Sequence, residues 1–256
     1  MKKIEYDKYG GPGLMHLDEV EPPVPGKGQV LVRVLAAAAN PKDWKFRNGD
    51  SRLMTGRHFP GGVGNDFAGT VVAVGEGVTQ FKAGDDVLGA ASLRKAGAFA
   101  EMVTADQKQV VKMPAGLSFE EAATLPTVGV AALQALIDKG ELTAGQSVFI
   151  TGCLGGVGRT AVQIARMRGA SVAGSCRDSA AAEARALGVD PVVGFDFDPA
   201  PLKGRFDLIL DTAGTTPSGR QVAPAGWQCP AMIERRRRLC HLKHRKPGLR
   251  PRVPRP

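Results

Sequence analysis

From residue 147 to residue 166 the chain reads S-V-F-I-T-G-C-L-G-G-V-G-R-T-A-V-Q-I-A-R, and no other stretch restricts the fold as tightly. An apolar, β-rich run (147–151) meets four glycines, Gly152, Gly155, Gly156 and Gly158. Apolar residues then fall at helical spacing: Val157, Ala161, Ile164 and Ala165. The pattern predicts a strand, a tight turn and a helix. Glycines let backbone approach a ligand closely, and a helix N-terminus offers unpaired N–H groups and a positive dipole end to an anion such as a pyrophosphate. Against the G-x-G-x-x-G spacing, Cys153 stands at the first glycine position, while Gly155 and Gly158 fit the second and third. On these residues alone an ordinary tight turn before a helix remains open.

The surrounding chain is that of a packed protein. With 256 residues and 43% hydrophobic content it suits one large domain or two ordinary ones. No run of 18 apolar residues occurs, so no membrane span is expected, and residues 1–7 (M-K-K-I-E-Y-D) lack an apolar signal region, which makes the cytoplasm the expected location. The four cysteines, Cys153, Cys176, Cys229 and Cys240, show no C-x-x-C spacing and read as free thiols. The four histidines are not spaced from a Cys or carboxylate as a metal site would want, so no metal centre is expected. The net charge of +9 is local. Residues 219–256 hold 11 of the 34 basic residues and one of the 25 acidic ones, a net +10, which leaves 23 basic against 24 acidic residues in 1–218, a net −1.

Along the chain, residues 1 to about 112 are rich in Gly, Pro and Val. Alternating runs such as Q-V-L-V-R-V (29–34) and G-T-V-V-A-V (69–74) predict strands of a small β-barrel, separated by turn signals. At 40–45, N-P-K-D-W-K predicts an extended residue turning into a short helix. Asn40, Asp43 and Lys45 at this strand end are placed to face a cleft; alternatively Asn40 caps the turn while Asp43 and Lys45 are solvated. Ser118-Phe119-Glu120-Glu121 is a capping box opening a short helix that Pro126 ends, and a second helix spans 128–139, closed by Gly140.

After the glycine turn, 170–175 predicts a second parallel strand, 179–187 a helix ended by Gly188, and 191–195 and 206–211 the third and fourth strands. A cofactor ribose with a free 2′-OH usually meets an acidic side chain beyond the second strand, whereas a 2′-phosphate prefers Arg, Lys and hydroxyls. Here the strand ends in Ser175 and Arg177, which favours NADPH over NADH, with a solvated Arg177 as the alternative. Thr212, Ala213 and Gly214 mark the strand C-terminal end at which open parallel sheets bind ligands.

In this order, N-P-x-D, then G-N-D-F-A-G-x-V-x-x-V-G-x-G-V-x-x-F-K-x-G-D-x-V, then G-G-V-G-x-x-A-x-Q-x-A, the chain resembles the zinc-independent quinone oxidoreductase branch of the medium-chain dehydrogenase/reductase family over residues 1–217. The resemblance implies an α/β protein in which a GroES-like β-barrel domain precedes a Rossmann-type parallel α/β domain. It also implies NADPH-dependent, zinc-free reduction of quinones or α,β-unsaturated carbonyls, with a small-molecule carbonyl or quinone as substrate. Asn40 stands where the family's zinc enzymes carry a ligand Cys, Asn65-Asp66 stand where they carry His-Glu, and residues 90–99 contain no Cys for a structural zinc lobe. Asn40, Asp43 and Lys45 become candidates for the nicotinamide and substrate cleft, although some members carry Tyr at the Lys45 position. Thr127 lies in a segment near the nicotinamide, with helix capping as its other reading, and Ala131 replaces a frequent Thr. Gly152, Gly155, Gly156, Val157, Gly158, Ser175, Arg177, Ala213 and Gly214 complete the expected cofactor contacts.

The expected organisation is a barrel domain over 1–117, a partial dinucleotide domain over 118–218 and a basic tail over 219–256. The tail shows no strand alternation and holds six of the 18 prolines, so it is expected to be disordered and the cofactor domain to be cut short. The change near Thr216 reads as a shifted reading frame or an alternative end. The other reading is a genuine basic arm, with Arg235, Arg236, Arg237, Arg238, His241, Lys243, His244 and Arg245 attracting nucleic acid or anionic lipid. The body offers no nucleic-acid motif, so nucleic acid is not the expected partner. Missing distal strands put the family's sheet-to-sheet homodimer in question and leave an inactive or weakly cofactor-binding protein as the alternative to an enzyme.

Overall fold

Period-2 alternation in the first half produces strands that bury one face, and the structure, a computed structural model, describes residues 1–56 (backbone alone at 54 and 55), 58–92, 97–198, 200–202 and 204–214, with the backbones of 232–235 and 238–240. The first compact unit is Met1–Val130 and the second begins at Ala131. In the first, β1 (Lys2–Tyr6), β2 (Met15–Glu19), β3 (Gln29–Ala38), α1 (Pro41–Asn48), α2 (Arg52–Thr55), β4 (Gly61–Gly62), β5 (Asp66–Val74), β6 (Asp86–Ala90), β7 (Met102–Asp106) and β8 (Val110–Lys112) follow in order. They form an antiparallel sheet β2-β1-β4 and a five-stranded antiparallel sheet β7-β3-β5-β6-β8. Register shifts between Leu31 and Val32 and between Val34 and Ala36 interrupt the β3–β5 ladder, the kind of irregularity that bends and twists a strand.

The alternation sorts β5 residues between two packed layers. Phe67 and Val71 join Val30, Val32, Val87 and Val103 in one core. Ala68 points the other way, to Leu88, Ala122 and Ala123. The last two lie on α3 (Phe119–Ala123), whose N-terminus is the expected capping box: the Glu121 N–H donates to Ser118 Oγ at 3.2 Å and the Ser118 N–H to Glu121 Oε2 at 2.9 Å. Burial of Ala122 and Ala123 against the barrel strands holds α3 in the first unit, so the compact unit runs past residue 117 to Val130.

Two helix limits differ from the sequence reading. Helix α3 stops at Ala123, and Pro126 does not end it but sits in the first turn of α4 (Leu125–Leu133), where a missing N–H breaks no intrahelical bond. The turns Gln134–Lys139 are wound as a π-helix up to Gly140, so the helix expected over 128–139 is built in two forms.

The second unit contains β9 (Ser147–Thr151), α5 (Gly156–Met167), β10 (Ser171–Ser175), α6 (Ala181–Ala186), β11 (Val192–Val193), β12 (Leu208–Asp211), β13 (Met232–Arg235) and β14 (Arg238–Cys240). The sheet order is β11-β10-β9-β12-β13-β14, with the first four strands parallel. Crossovers through α5 and α6 produce the Rossmann-type half, packed around Val148, Ile150, Ala161, Val162, Leu208 and Leu210. The expectation of a tail without strands is corrected at β13 and β14, which pair antiparallel with β12 and with each other. An open β12 edge presents a row of unpaired N–H and C=O groups that this backbone satisfies. The side chains read as a basic arm lie outside the described residues. Among the described residues no helix is long and apolar enough to cross a membrane.

Phe67 is fully buried whereas Val111 is 58% exposed. Phe67→Ala should therefore lower the unfolding free energy by about 3–5 kcal/mol, and Val111→Ala by no more than about 0.5 kcal/mol, in equilibrium urea denaturation.

Candidate functional site

Backbone-on-backbone contact builds the glycine turn of the second unit. Gly152 adopts φ +65°, and a Cβ on Gly158 would lie 2.1 Å from the Gly152 carbonyl oxygen. The Gly155 N–H donates to Gly152 O at 2.9 Å, which closes the turn before α5. The first bond along α5 runs from the Arg159 N–H to Gly155 O at 2.7 Å, so the N–H groups of Gly156, Val157 and Gly158 precede the intrahelical ladder. Gly155 and Gly156 are exposed, Val157 is half-buried against the core and Gly158 is buried. These residues fit a dinucleotide: a side chain at Gly158 would fill the space that lets the helix start so close beneath the turn.

Cys153, at the position where the pattern has its first glycine, turns inward and is fully buried. Gly174 of β10 makes room for it, since a Cβ there would lie 2.9 Å from Cys153 Cβ. Burial, and then the neighbouring Cys176, push the Cys153 thiol up to about 12, so it packs as a small apolar side chain rather than as a nucleophile. Cys153 and Cys176 are free thiols.

Strands β9 and β12 are sheet neighbours whose chain continuations part at the topological switch of the parallel half. Their C-terminal ends are tied by buried side chains: Thr151 Oγ1 donates to Asp211 Oδ1. The same Asp211 oxygen accepts from the N–H groups of Ala213 at 3.1 Å and Gly214 at 2.8 Å, and Thr212 Oγ1 donates to Thr151 O at 2.6 Å. Ala213 and Gly214 are thus held in an exposed turn with their N–H groups directed to Asp211. Ser175 is fully buried and its Oγ accepts from the Gly152 N–H at 3.3 Å, supporting the turn from below. Arg177, one residue past Cys176, is exposed.

In the first unit a fully buried carboxylate, Asp66 at the start of β5, gathers the polar residues. Its Oδ2 accepts from Asn40 Nδ2 at 3.1 Å and from the Thr127 N–H at 2.8 Å, and its Oδ1 accepts from Thr127 Oγ1 at 2.5 Å. Lys42 Nζ lies 3.6 Å from the same Oδ1 and donates to Thr127 Oγ1 at 2.5 Å. Asn40 and Thr127, singled out from sequence, are therefore brought together, and Lys42 joins them unforeseen. Nothing local in N-P-K-D marks Lys42, because its partners lie 24 and 85 residues along the chain.

Asp43 is buried rather than solvated. Its Oδ2 accepts from the Asn40 N–H at 2.6 Å, while Oδ1 has no partner among the described residues. Burial raises its carboxyl above the ordinary range, opposed by the Asn40 N–H and by Lys42, with Asp66 adding to the rise. Lys45 is half-buried and sets its ammonium group 5.6 Å from the Trp44 ring centroid, a cation–π arrangement rather than simple solvation. Asn65 Nδ2 donates to Ala91 O at 2.6 Å. Among the described residues no three His, Cys, Asp or Glu side chains converge in a metal-binding group.

Gly158→Ala should weaken dinucleotide binding and lower Tm more than Gly155→Ala, whose Cβ would lie 3.3 Å from Gly152 O, as read by calorimetry. A raised carboxyl means that the folded state holds the Asp43 proton more tightly than the unfolded chain does. As pH climbs through and above the ordinary aspartate range, ionising it costs stability, and Asp43→Asn should remove that loss in a series of urea melts against pH. An unchanged slope would contradict the burial.

Residues 26–115 match the alcohol dehydrogenase GroES-like domain. The chain is 35% identical over 229 residues to the chloroplast envelope quinone oxidoreductase homolog of Arabidopsis thaliana, covering 85% of this chain and 69% of that protein. Its fold is similar to the quinone oxidoreductase from Coxiella burnetii, with TM-score 0.76 and 34% identity over 84% of this chain and 69% of that one. The Escherichia coli quinone oxidoreductase complexed with NADPH matches with TM-score 0.70 and 29% identity over 79% and 61% of the two chains. With the GroES-like unit, the Rossmann-type unit and this likeness together, the chain belongs to the quinone oxidoreductase homologues of the medium-chain dehydrogenase/reductase family and is an oxidoreductase.

Proposed function

We propose that the protein uses NADPH to reduce quinones or α,β-unsaturated carbonyls without zinc. The observation that carries this reading is the donor set around Asp66. Where a metal would need open lone pairs, both carboxylate oxygens are occupied by an amide, a backbone N–H, a hydroxyl and an ammonium group. Bound NADPH would supply hydride to an electron-poor carbon of the substrate, and a proton would then complete the enolate or hydroquinone. The N–H groups of Gly156, Val157 and Gly158 receive the pyrophosphate, and the Gly152 turn, backed by Ser175, keeps them in place. Arg177, exposed just beyond β10, pairs with a ribose 2′-phosphate. Asn40, Thr127 and Lys45 supply polar contacts to the nicotinamide and substrate, and the positive charge of Lys45 favours oxyanion character as it develops. The likeness to a quinone oxidoreductase complexed with NADPH supports the choice of cofactor.

Fluorescence titration should give tighter binding of NADPH than of NADH, and NADPH should be consumed with a quinone acceptor. Arg177→Ala should weaken NADPH binding about tenfold while leaving NADH nearly unaffected, one decade being about 1.4 kcal/mol. Equal affinity for both cofactors would remove the 2′-phosphate assignment.

A further inference from the structure

We propose that Lys42 is a positioning residue for this oxidoreductase, holding Thr127 and Asn40 in place through Asp66. The inference rests on the reading of Thr127 and Asn40 as cofactor-side contacts. Lys42 projects from the first turn of α1 with its side chain 24% exposed, so its stem is largely packed while its ammonium group reaches a buried carboxylate. One ammonium proton goes to Thr127 Oγ1 at 2.5 Å, and the Thr127 hydroxyl proton goes in turn to Asp66 Oδ1 at 2.5 Å. The hydroxyl is thereby fixed in direction: its donor is spent on Asp66, one lone pair accepts from Lys42, and a single lone pair remains for a ligand.

The same ammonium group serves two buried carboxylates. It is 3.6 Å from Asp66 Oδ1, and it counters the burial of Asp43, whose Oδ2 holds the Asn40 N–H. The groups that face Asp43 are the Asn40 N–H and Lys42 from its own turn and Asp66 from β5. Burying two carboxylates this deep is costly unless a cation stands beside them. Lys42 provides that cation from α1, so the charge that orients Thr127 on α4 also opposes the rise of the Asp43 carboxyl, whose Oδ2 seats the Asn40 N–H. A role limited to packing would survive loss of the charge.

The test compares Lys42→Met, which keeps the length, with Lys42→Arg, Thr127→Val and the Lys42→Met/Thr127→Val double variant. Readouts are Tm, kcat and KM for NADPH, and the pH profile of kcat/KM with a quinone acceptor. Lys42→Met should lower kcat/KM about tenfold and move the acid limb of the profile to higher pH, with Lys42→Arg restoring part of both. The double variant should lose less than the two single losses combined, because Lys42 acts in part through Thr127. If Lys42→Met fails to fold, Lys42→Arg and Lys42→Gln carry the same pH comparison. An unchanged kcat/KM and acid limb, or fully additive losses in the double variant, would overturn the proposal. Turnover by the unaltered protein is read first: its absence overturns the functional reading and this inference together, whereas failure at Lys42 in an active enzyme concerns Lys42 alone.

Discussion

A buried carboxylate is stabilised by partners on its oxygens, because removing an unpaired charge from water costs several kcal/mol. Each unit is wired around one. In the first, Asp66 binds the strand end of β3, the start of α1 and the start of α4 through Asn40, Lys42 and Thr127. In the second, Asp211 binds the ends of β9 and β12 and folds the turn at Ala213 and Gly214 onto itself. These carboxylates occupy the places where the chain leaves regular structure, and they hold those ends in place.

The glycine turn complements this wiring by steric means. Nothing but hydrogen fits between Gly158 and the Gly152 carbonyl, so α5 begins closer to β9 than any side chain would permit. The position expected to be the first glycine is instead Cys153, and the structure explains why that is harmless. Its side chain lies in the core beside Gly174, and only the backbone takes part in the turn.

How legible this was depended on the range of each interaction. The strand–turn–helix at 147–166 and the Ser118 capping box follow from neighbours a few residues apart, and both formed as read. Pro126 was misread because a proline signals a helix start as readily as an end, and the choice depends on where α3 stops packing. Lys42 was invisible because its meaning comes from Asp66 and Thr127, which only the folded chain brings near. Ser175 was placed correctly at the end of β10, but its hydroxyl turns inward to the Gly152 N–H, a direction no spacing rule encodes. The strands at 232–235 and 238–240 went unforeseen because their pairing answers the open edge of β12 rather than any pattern of their own.

Hydride transfer to a substrate carbon is the central claim, and isotope labelling tests it most directly. NADPH carrying deuterium at the transferable position is incubated with the protein and an α,β-unsaturated ketone, and the product is read by NMR. The account expects deuterium at the β-carbon and a solvent-derived proton at the α-carbon. Cofactor left unoxidised with both the ketone and a quinone, or a reduced ketone without the label, would contradict it.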